Sequence, residues 1–283
     1  MTDSMQTAEV SMETIGGRTL RVARWRLDMP SEHPPVLFFN GIGANIEAVA
    51  PLADALDDRG FIIFDMPGVG QSPEPLVPYN AFTMSWTARQ LLKRFKVEEV
   101  DVIGISWGGA MAQHFALQHG NIVRRLVLVA TSAGMVMVPG NPAALSKMAN
   151  PRRYVDAAFM ARHFETLYGG ALGEGGGKSE HIGRLTPPTP RGYFYQLLAM
   201  MGWTSVPALP FLKKPTLIMM GEDDQIVPLA NGRLLHALIS DSELEIMEGG
   251  GHLFLLSHRE QSVSAIRRFL DVPDEQDEVA QAA

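Results

Sequence analysis

The sequence predicts an α/β protein: a mostly parallel sheet with helices on both faces and an inserted, mainly helical segment. Three observations predict it. Short apolar runs such as "PVLFFN", "FIIFD", "VDVIGI" and "RRLVLVA" alternate with stretches of helical spacing, the pattern of parallel strands covered on both faces. The alternation stops after Ala133 and resumes at "PTLIMMG", as it would around an insertion into one sheet. One strand-to-helix join, "VIGISWGGAM", holds a serine among glycines, a composition that suits a very sharp turn.

Taken in order, "SMETIGGRTLRVARWRL" predicts a hairpin around Gly16-Gly17, two extended runs joined by a short glycine turn. "PVLFFN" is a buried strand, "NIEAVAPLADAL" a helix, "FIIFD" a strand and "SWTARQLLKRF" a helix. "VDVIGI", "GGAMAQHFALQHG" and "RRLVLVA" continue as strand, helix and strand. From Met135 to Val206 no strand is legible, only helix-like pieces, the glycine-rich "GGALGEGGGKS" and the proline-rich "TPPTPRG". Strand "PTLIMMG", helix "ANGRLLHALI", strand "ELEIME" and helix "SVSAIRRFL" close the pattern, and the polar tail "DVPDEQDEVAQAA" is expected to fray. The expected division is a core of residues 1–134 and 207–283 with residues 135–206 as a cap. The cap leaves the core after a strand, at the sheet edge where the serine is displayed. Its glycine run offers little packing and many backbone conformations, so a hinge is expected there.

The 283 residues suffice to bury a large core without staples. The chain has no cysteine, which excludes disulfides, thiolate metal sites and a cysteine nucleophile. A net charge of −7 argues against a nucleic-acid surface. No apolar run approaches the ~18 residues of a membrane span. The first residues lack the basic start and apolar run of a secretory leader, so a cytoplasmic protein is expected.

Gly104-Ile105-Ser106-Trp107-Gly108 is a G-x-S-x-G between strand and helix. It resembles the nucleophile elbow of α/β-hydrolases, where the serine is held in a strained conformation and the glycines leave room for it. Ser106 would stand at a helix N-terminus, which favours developing negative charge. A serine needs a base and the base an orienting acid, in the chain order Ser, acid, His for this fold. "LIMMGEDDQIVP" places Asp223 and Asp224 just after a strand, and "EIMEGGGHLFLL" places His252 in a glycine loop after the next one. Both loops end strands on the edge that displays Ser106. Asp224, three residues after Gly221 and ahead of Val227-Pro228, matches the hydrolase acid, and Asp223 would cap the turn. Among 8 histidines, His33, His114, His119, His163, His181, His236 and His258 lie on helices, in loops or in the insertion and are expected to be structural. An oxyanion hole needs two converging backbone N–H groups. Trp107 and, in the loop "FNGIGAN", Ile42 are the candidates.

Over nearly its whole length the chain resembles α/β-hydrolases. More narrowly it resembles the intracellular medium-chain-length polyhydroxyalkanoate depolymerases of bacteria, through "FNGIGAN", "DMPGVGQS", "VIGISWGGAMAQHFA", "VMVPGNP", "PRRYV", "LYGG", "GWTS", "PTLIMMGEDDQIVPLAN" and "GHLFL". The resemblance implies a catalytic triad of Ser106, Asp224 and His252, attack on stored polyester with release of 3-hydroxyalkanoic acids, work at a granule surface, and no cofactor. No metal-ligand cluster is expected. The Met and aromatic content of the insertion agrees with a greasy substrate, with Phe159, Tyr168 and Trp203, and Trp107 of the elbow, as candidate substrate contacts. Most such side chains would be the insertion's own core. The rival readings are a 3-hydroxyacyl transacylase, a hydrolase of small esters or carbon–carbon bonds, and a non-catalytic granule protein. Oligomeric state, a homo-oligomer included, is left open.

Overall fold

Glu9–Ile15 (β1) and Arg18–Trp25 (β2) pair antiparallel with Ile15 opposite Arg18. Gly16 and Gly17 between them have φ of +56° and +77°. A two-residue hairpin turn needs these left-handed values to match the strand twist. In this computed structural model, which describes residues 8–148, 150, 152, 156–168 and 177–273, the other strands are Val36–Phe39 (β3), Phe61–Phe64 (β4), Val100–Ile105 (β5), Val123–Val129 (β6), Thr216–Gly221 (β7) and Ser242–Met247 (β8). They form one sheet in the order β1-β2-β4-β3-β5-β6-β7-β8. β2 runs antiparallel to β4, and every later neighbouring pair is parallel.

The helices are Ala50–Ala55 (α1), Ala81–Arg94 (α2), Trp107–Gln118 (α3), Pro142–Met148 (α4), Ala157–Tyr168 (α5), Gly177–Arg184 (α6), Pro190–Ala199 (α7), Leu229–Leu238 (α8), Phe254–Ser257 (α9) and Arg259–Leu270 (α10). Successive strand residues point to opposite faces, and the core divides accordingly. Leu37, Ile62, Val102, Leu128 and Ile218 pack with α2, α3 and α8 through Met84, Leu91, Phe115 and Leu235. Phe38, Ile63, Ile103, Val127 and Leu217 pack with α1, α9 and α10 through Ala53, Phe254 and Ile266. Both faces of the central strands are therefore dry, which is why those strands read as unbroken apolar runs.

Two helices differ from the expectation. "NIEAVAPLADAL" is a 3-10 turn at Ile46–Ala48 followed by a short α1. Pro51 lacks an N–H and its ring opposes a continuous turn before it, so the helix restarts there. α2 begins four residues before "SWTARQ", because Asn80 and Thr83 form a reciprocal capping box.

The segment 135–206 carries α4 to α7 and departs after β6. Gly134 and Thr204 form an isolated antiparallel bridge that draws its two ends together, a pairing absent from the strandless reading. Of "GGALGEGGGKS", residues 169–176 lie outside the described residues, and so does the expected hinge. Residues 274–283 of the tail lie outside them too.

Candidate active site

Ser106 joins β5 to α3 with φ +55° and ψ −121°, a conformation a side-chain-bearing residue keeps only when its surroundings enforce it. The surroundings are the neighbouring glycines. A Cβ on Gly104 would lie 2.3 Å from the Gly108 carbonyl oxygen, and one on Gly108 would lie 2.1 Å from that of Phe39. The obstacles are thus helix and β3 backbone, which cannot rotate away. The Ser106 N–H donates to Val129 O at 2.8 Å, and Thr131 Oγ1 donates to Ser106 O at 2.7 Å. The turn is tied to β6 from both sides.

The loop after β7 delivers Asp224, 4% exposed, and the loop after β8 delivers His252, equally buried. Asp224 Oδ1 accepts the N–H groups of Ile226 and Val227 at 2.8 and 2.9 Å. Its Oδ2 lies 2.7 Å from His252 Nδ1, and His252 Nε2 lies 3.0 Å from Ser106 Oγ. A carboxylate only accepts, so Nδ1 carries the hydrogen and Nε2 presents its lone pair to the serine hydroxyl. The two loops are held together, since the Asp223 N–H donates to Gly250 O at 2.8 Å and a Cβ on Gly221 would lie 2.4 Å from that same oxygen. Asp223 itself is exposed and does not reach the imidazole. The ring of Tyr168 lies nearly parallel to that of His252, 11° between planes, and its carbonyl accepts the His252 N–H.

Ser106 and His252 open on a cavity of about 150 Å³. Gly41, Ile42 and Gly43 line it, with Gly41 beside the serine. Val49, Leu52 and Leu255 come from the core, and Met148, Met160 and Tyr168 from the insertion. The cavity is therefore apolar and shared between the two parts of the chain. The loop of Ile42 is braced from below by Asp65, whose Oδ1 accepts the Ile46 N–H at 2.8 Å. Burial pushes the Asp65 carboxyl up to about 6, against the pull of its two backbone N–H donors and of Arg21. Among the described residues, His33, Asp58 and Asp271 form a group that could hold a metal ion. Both acids are already committed to Arg59.

Of the candidate substrate contacts, Tyr168 is on the cavity wall. Phe159, Trp203 and Trp107 are not among the residues lining it. Phe159 packs in the insertion with its ring 4.5 Å from that of His163. Trp203 Nε1 donates to His114 Nδ1 at 3.1 Å, against α3. Trp107 Nε1 donates to Gln196 O at 3.0 Å, so its side chain holds the insertion down and only its backbone N–H is placed by the elbow. The sequence reading passed over two residues. Gln196, fully buried on α7, accepts the Gly43 N–H at 2.9 Å through Oε1. His181 on α6 lines the cavity. Gln196 had no local signal, and His181 was grouped with the structural histidines.

The alpha/beta hydrolase fold family matches residues 34–175 and 184–259. A poly(3-hydroxyalkanoate) depolymerase of Ectopseudomonas oleovorans is 43% identical over 238 residues, covering 83% of this chain and 84% of the relative. A 2-hydroxymuconate semialdehyde hydrolase of Pseudomonas sp. strain CF600 is 27% identical over 85% of this chain and 88% of its own. Among solved structures, an esterase from Exiguobacterium antarcticum superposes with a TM-score of 0.78 at 21% identity, covering 92% of this chain and 98% of that one. The strained serine turn, the order of the strands and these matches agree, and the chain belongs to the α/β-hydrolase fold family.

Proposed function

We propose that the chain is a serine hydrolase that cleaves the ester bonds of medium-chain-length poly(3-hydroxyalkanoate) stored in the cytoplasm, releasing 3-hydroxyalkanoic acids. The observation that carries the chemistry is the hydrogen-bonded series Ser106–His252–Asp224 opening on an apolar cavity. The depolymerase relative at 43% identity supports the substrate class.

Ser106 Oγ attacks the ester carbonyl carbon while its proton passes to His252 Nε2. Asp224 holds the imidazole in the required tautomer and stabilises the imidazolium. The N–H groups of Trp107 and Ile42 receive the carbonyl oxygen as it becomes anionic. Collapse breaks the bond to the alcohol oxygen of the next unit, which takes the proton from Nε2 and departs as a hydroxyl. Water then gives a proton to Nε2 and attacks the acyl-serine, and the free acid leaves as Ser106 regains its proton. One water is consumed per ester, and every step uses groups of this chain. Residues 135–206 act as the cap, since Met148, Met160 and Tyr168 wall the cavity opposite the core.

The test is incubation with emulsified medium-chain polyester and chromatography of the released acids. Wild type releases 3-hydroxyalkanoic acids, and Ser106→Ala, with an unchanged circular dichroism spectrum, loses at least about 10³-fold of the rate. Polymer left intact while a thiol carrier accepts the acyl group would make the protein a transacylase. Turnover confined to small soluble substrates would assign it to the carbon–carbon or small-ester hydrolases.

A further inference from the structure

The loop after β7, which carries Asp224, is also gripped by the start of the insertion. The Asn141 N–H donates to Gln225 O at 2.7 Å, and Asn141 Nδ2 donates to Gln225 Oε1 at 3.2 Å. Gly140 is buried against the same stretch, where a Cβ would lie 2.3 Å from Ile226 O and 2.5 Å from Gln225 O. Val138, Pro139 and Asn141 are exposed, so their side chains contribute little packing to this contact. The hold on the segment is polar, and it comes from Asn231 in the first turn of α8. Asn231 is 1% exposed. Its Oδ1 accepts the Val138 N–H at 2.8 Å, and its Nδ2 donates to Val138 O at 2.9 Å and to Pro228 O at 3.1 Å. A side-chain amide carries an acceptor and two donors, so it meets both backbone groups of Val138 as a neighbouring strand would. Aspartate would lack the donors, and leucine would offer neither.

The grip ends on a single peptide unit. The Gln225–Ile226 peptide accepts the Asn141 N–H through its oxygen and donates its own N–H to Asp224 Oδ1 at 2.8 Å. A trans peptide is planar, with its N–H and C=O pointing opposite ways. A donor that fixes the oxygen therefore also aims the N–H. The bond accepted at the oxygen polarises that N–H as well. Asp224 Oδ2 meets His252 Nδ1 at 2.7 Å, so an orientation imposed through Oδ1 carries to the imidazole.

We propose that residues 138–141 of the insertion form a clasp on the acid loop, and that Asn231 is the positioning residue that locks it. Through Asn141 and the Gln225–Ile226 peptide, Asn231 sets Asp224 against His252. The proposal rests on the reading of Asp224 as the orienting acid. The insertion then does more than wall the cavity: it aligns the acid, and it does so with residues that are not among those lining the cavity, Val138, Asn141 and Asn231.

The experiment is a double-mutant cycle on a short p-nitrophenyl ester, with wild type, Asn231→Leu, Asp224→Asn and the double variant, and thermal melting of each. Asn231→Leu should lower kcat by at least about tenfold, because a small misplacement of a reacting group costs that much, with KM within about twofold. In the Asp224→Asn background the same change should lower kcat by less than about twofold further, since the carboxylate it positions is already gone. Gly140→Ala drives a Cβ against Ile226 O from the insertion side. It should repeat both results, and it keeps the test open should Asn231→Leu fail to fold. An unchanged kcat in the single variants, a rise in KM alone, or an undiminished further loss in the Asp224→Asn background would overturn the proposal and leave Asn231 a brace for the insertion only. Failure of the acid reading is separable, since Asp224→Asn alone would then keep its activity, and the proposal would fall with that reading.

Discussion

Asp223 and Asp224 are adjacent carboxylates on one turn, and their environments separate them. Asp224 is buried with three acceptor contacts, two to backbone N–H groups and one to the imidazole. Asp223 is exposed and is tied to its neighbours by its backbone N–H and carbonyl. The amide in Asp224→Asn can turn its NH₂ toward Nδ1. It then favours the wrong tautomer, with a hydrogen on Nε2 where the serine needs an acceptor. The expected result is a fall in kcat of about 10³–10⁴-fold with the fold retained. Asp223→Asn should stay within about threefold. Steady-state kinetics of the two variants on one soluble ester, with thermal melting of each, checks this. The reverse ranking would remove Asp224 from the acid role.

At the scale of elements, α7 joins the insertion to both segments proposed to supply the oxyanion-hole donors. Gln196 Oε1 takes the N–H of Gly43, one residue beyond Ile42, and Gln196 O takes the indole N–H of Trp107. One buried residue of the insertion therefore spans the two backbone segments that would stabilise the oxyanion, and Asn45 adds a second tie by donating to Arg184 O and accepting the Thr186 N–H. Gln196→Met keeps the volume, leaves the Gly43 N–H without its acceptor, and should lower kcat by about tenfold with KM within about twofold, because the loss falls on transition-state charge. Kinetics on a short soluble ester checks it, and a rise in KM alone would mean that α7 only shapes the cavity. This link was invisible in the sequence for a physical reason. Gln196 and Gly43 are 153 residues apart, and a glutamine beside "GYFY" carries no periodic or turn signal. The core elements were legible because buried parallel strands demand apolar runs. The elbow was legible because close backbone packing demands glycine at Gly104 and Gly108. Asp224 and His252 were legible as polar residues at strand ends on one edge. The cavity wall was legible only in part, since Met and aromatic side chains serve packing and lining alike: Tyr168 lines it, Phe159 and Trp203 make other contacts, and His181, grouped with the structural histidines, lines it too.

On the scale of the whole molecule, the insertion has two unlike sides. Gly192, Gln196 and Ala199 of α7 are buried toward the core, whereas Phe194 and Leu197, with Met201 just beyond the helix, are 54%, 47% and 70% exposed. Their spacing of three and four residues puts them on one outward stripe, where water meets apolar side chains on the same segment that walls the cavity. Under the depolymerase reading the substrate is itself a water-insoluble apolar surface, and the stripe is expected to rest on it. Adsorption there would bring the insertion that shares the cavity wall to the polymer. Replacing Phe194, Leu197 and Met201 by serine removes apolar area from the stripe and changes no side chain on the cavity wall. At roughly 25 cal/mol per Å² of apolar surface, losing even part of three large side chains should weaken adsorption at least tenfold. Binding to emulsified polyester, read by co-sedimentation, should fall by that factor along with the rate on polymer. The rate on methyl 3-hydroxyoctanoate should stay within about twofold of wild type, because the cavity is unaltered. Unchanged co-sedimentation would show that the protein meets the polymer through another face. A parallel loss on the soluble ester would mean instead that the stripe supports the cap's own fold.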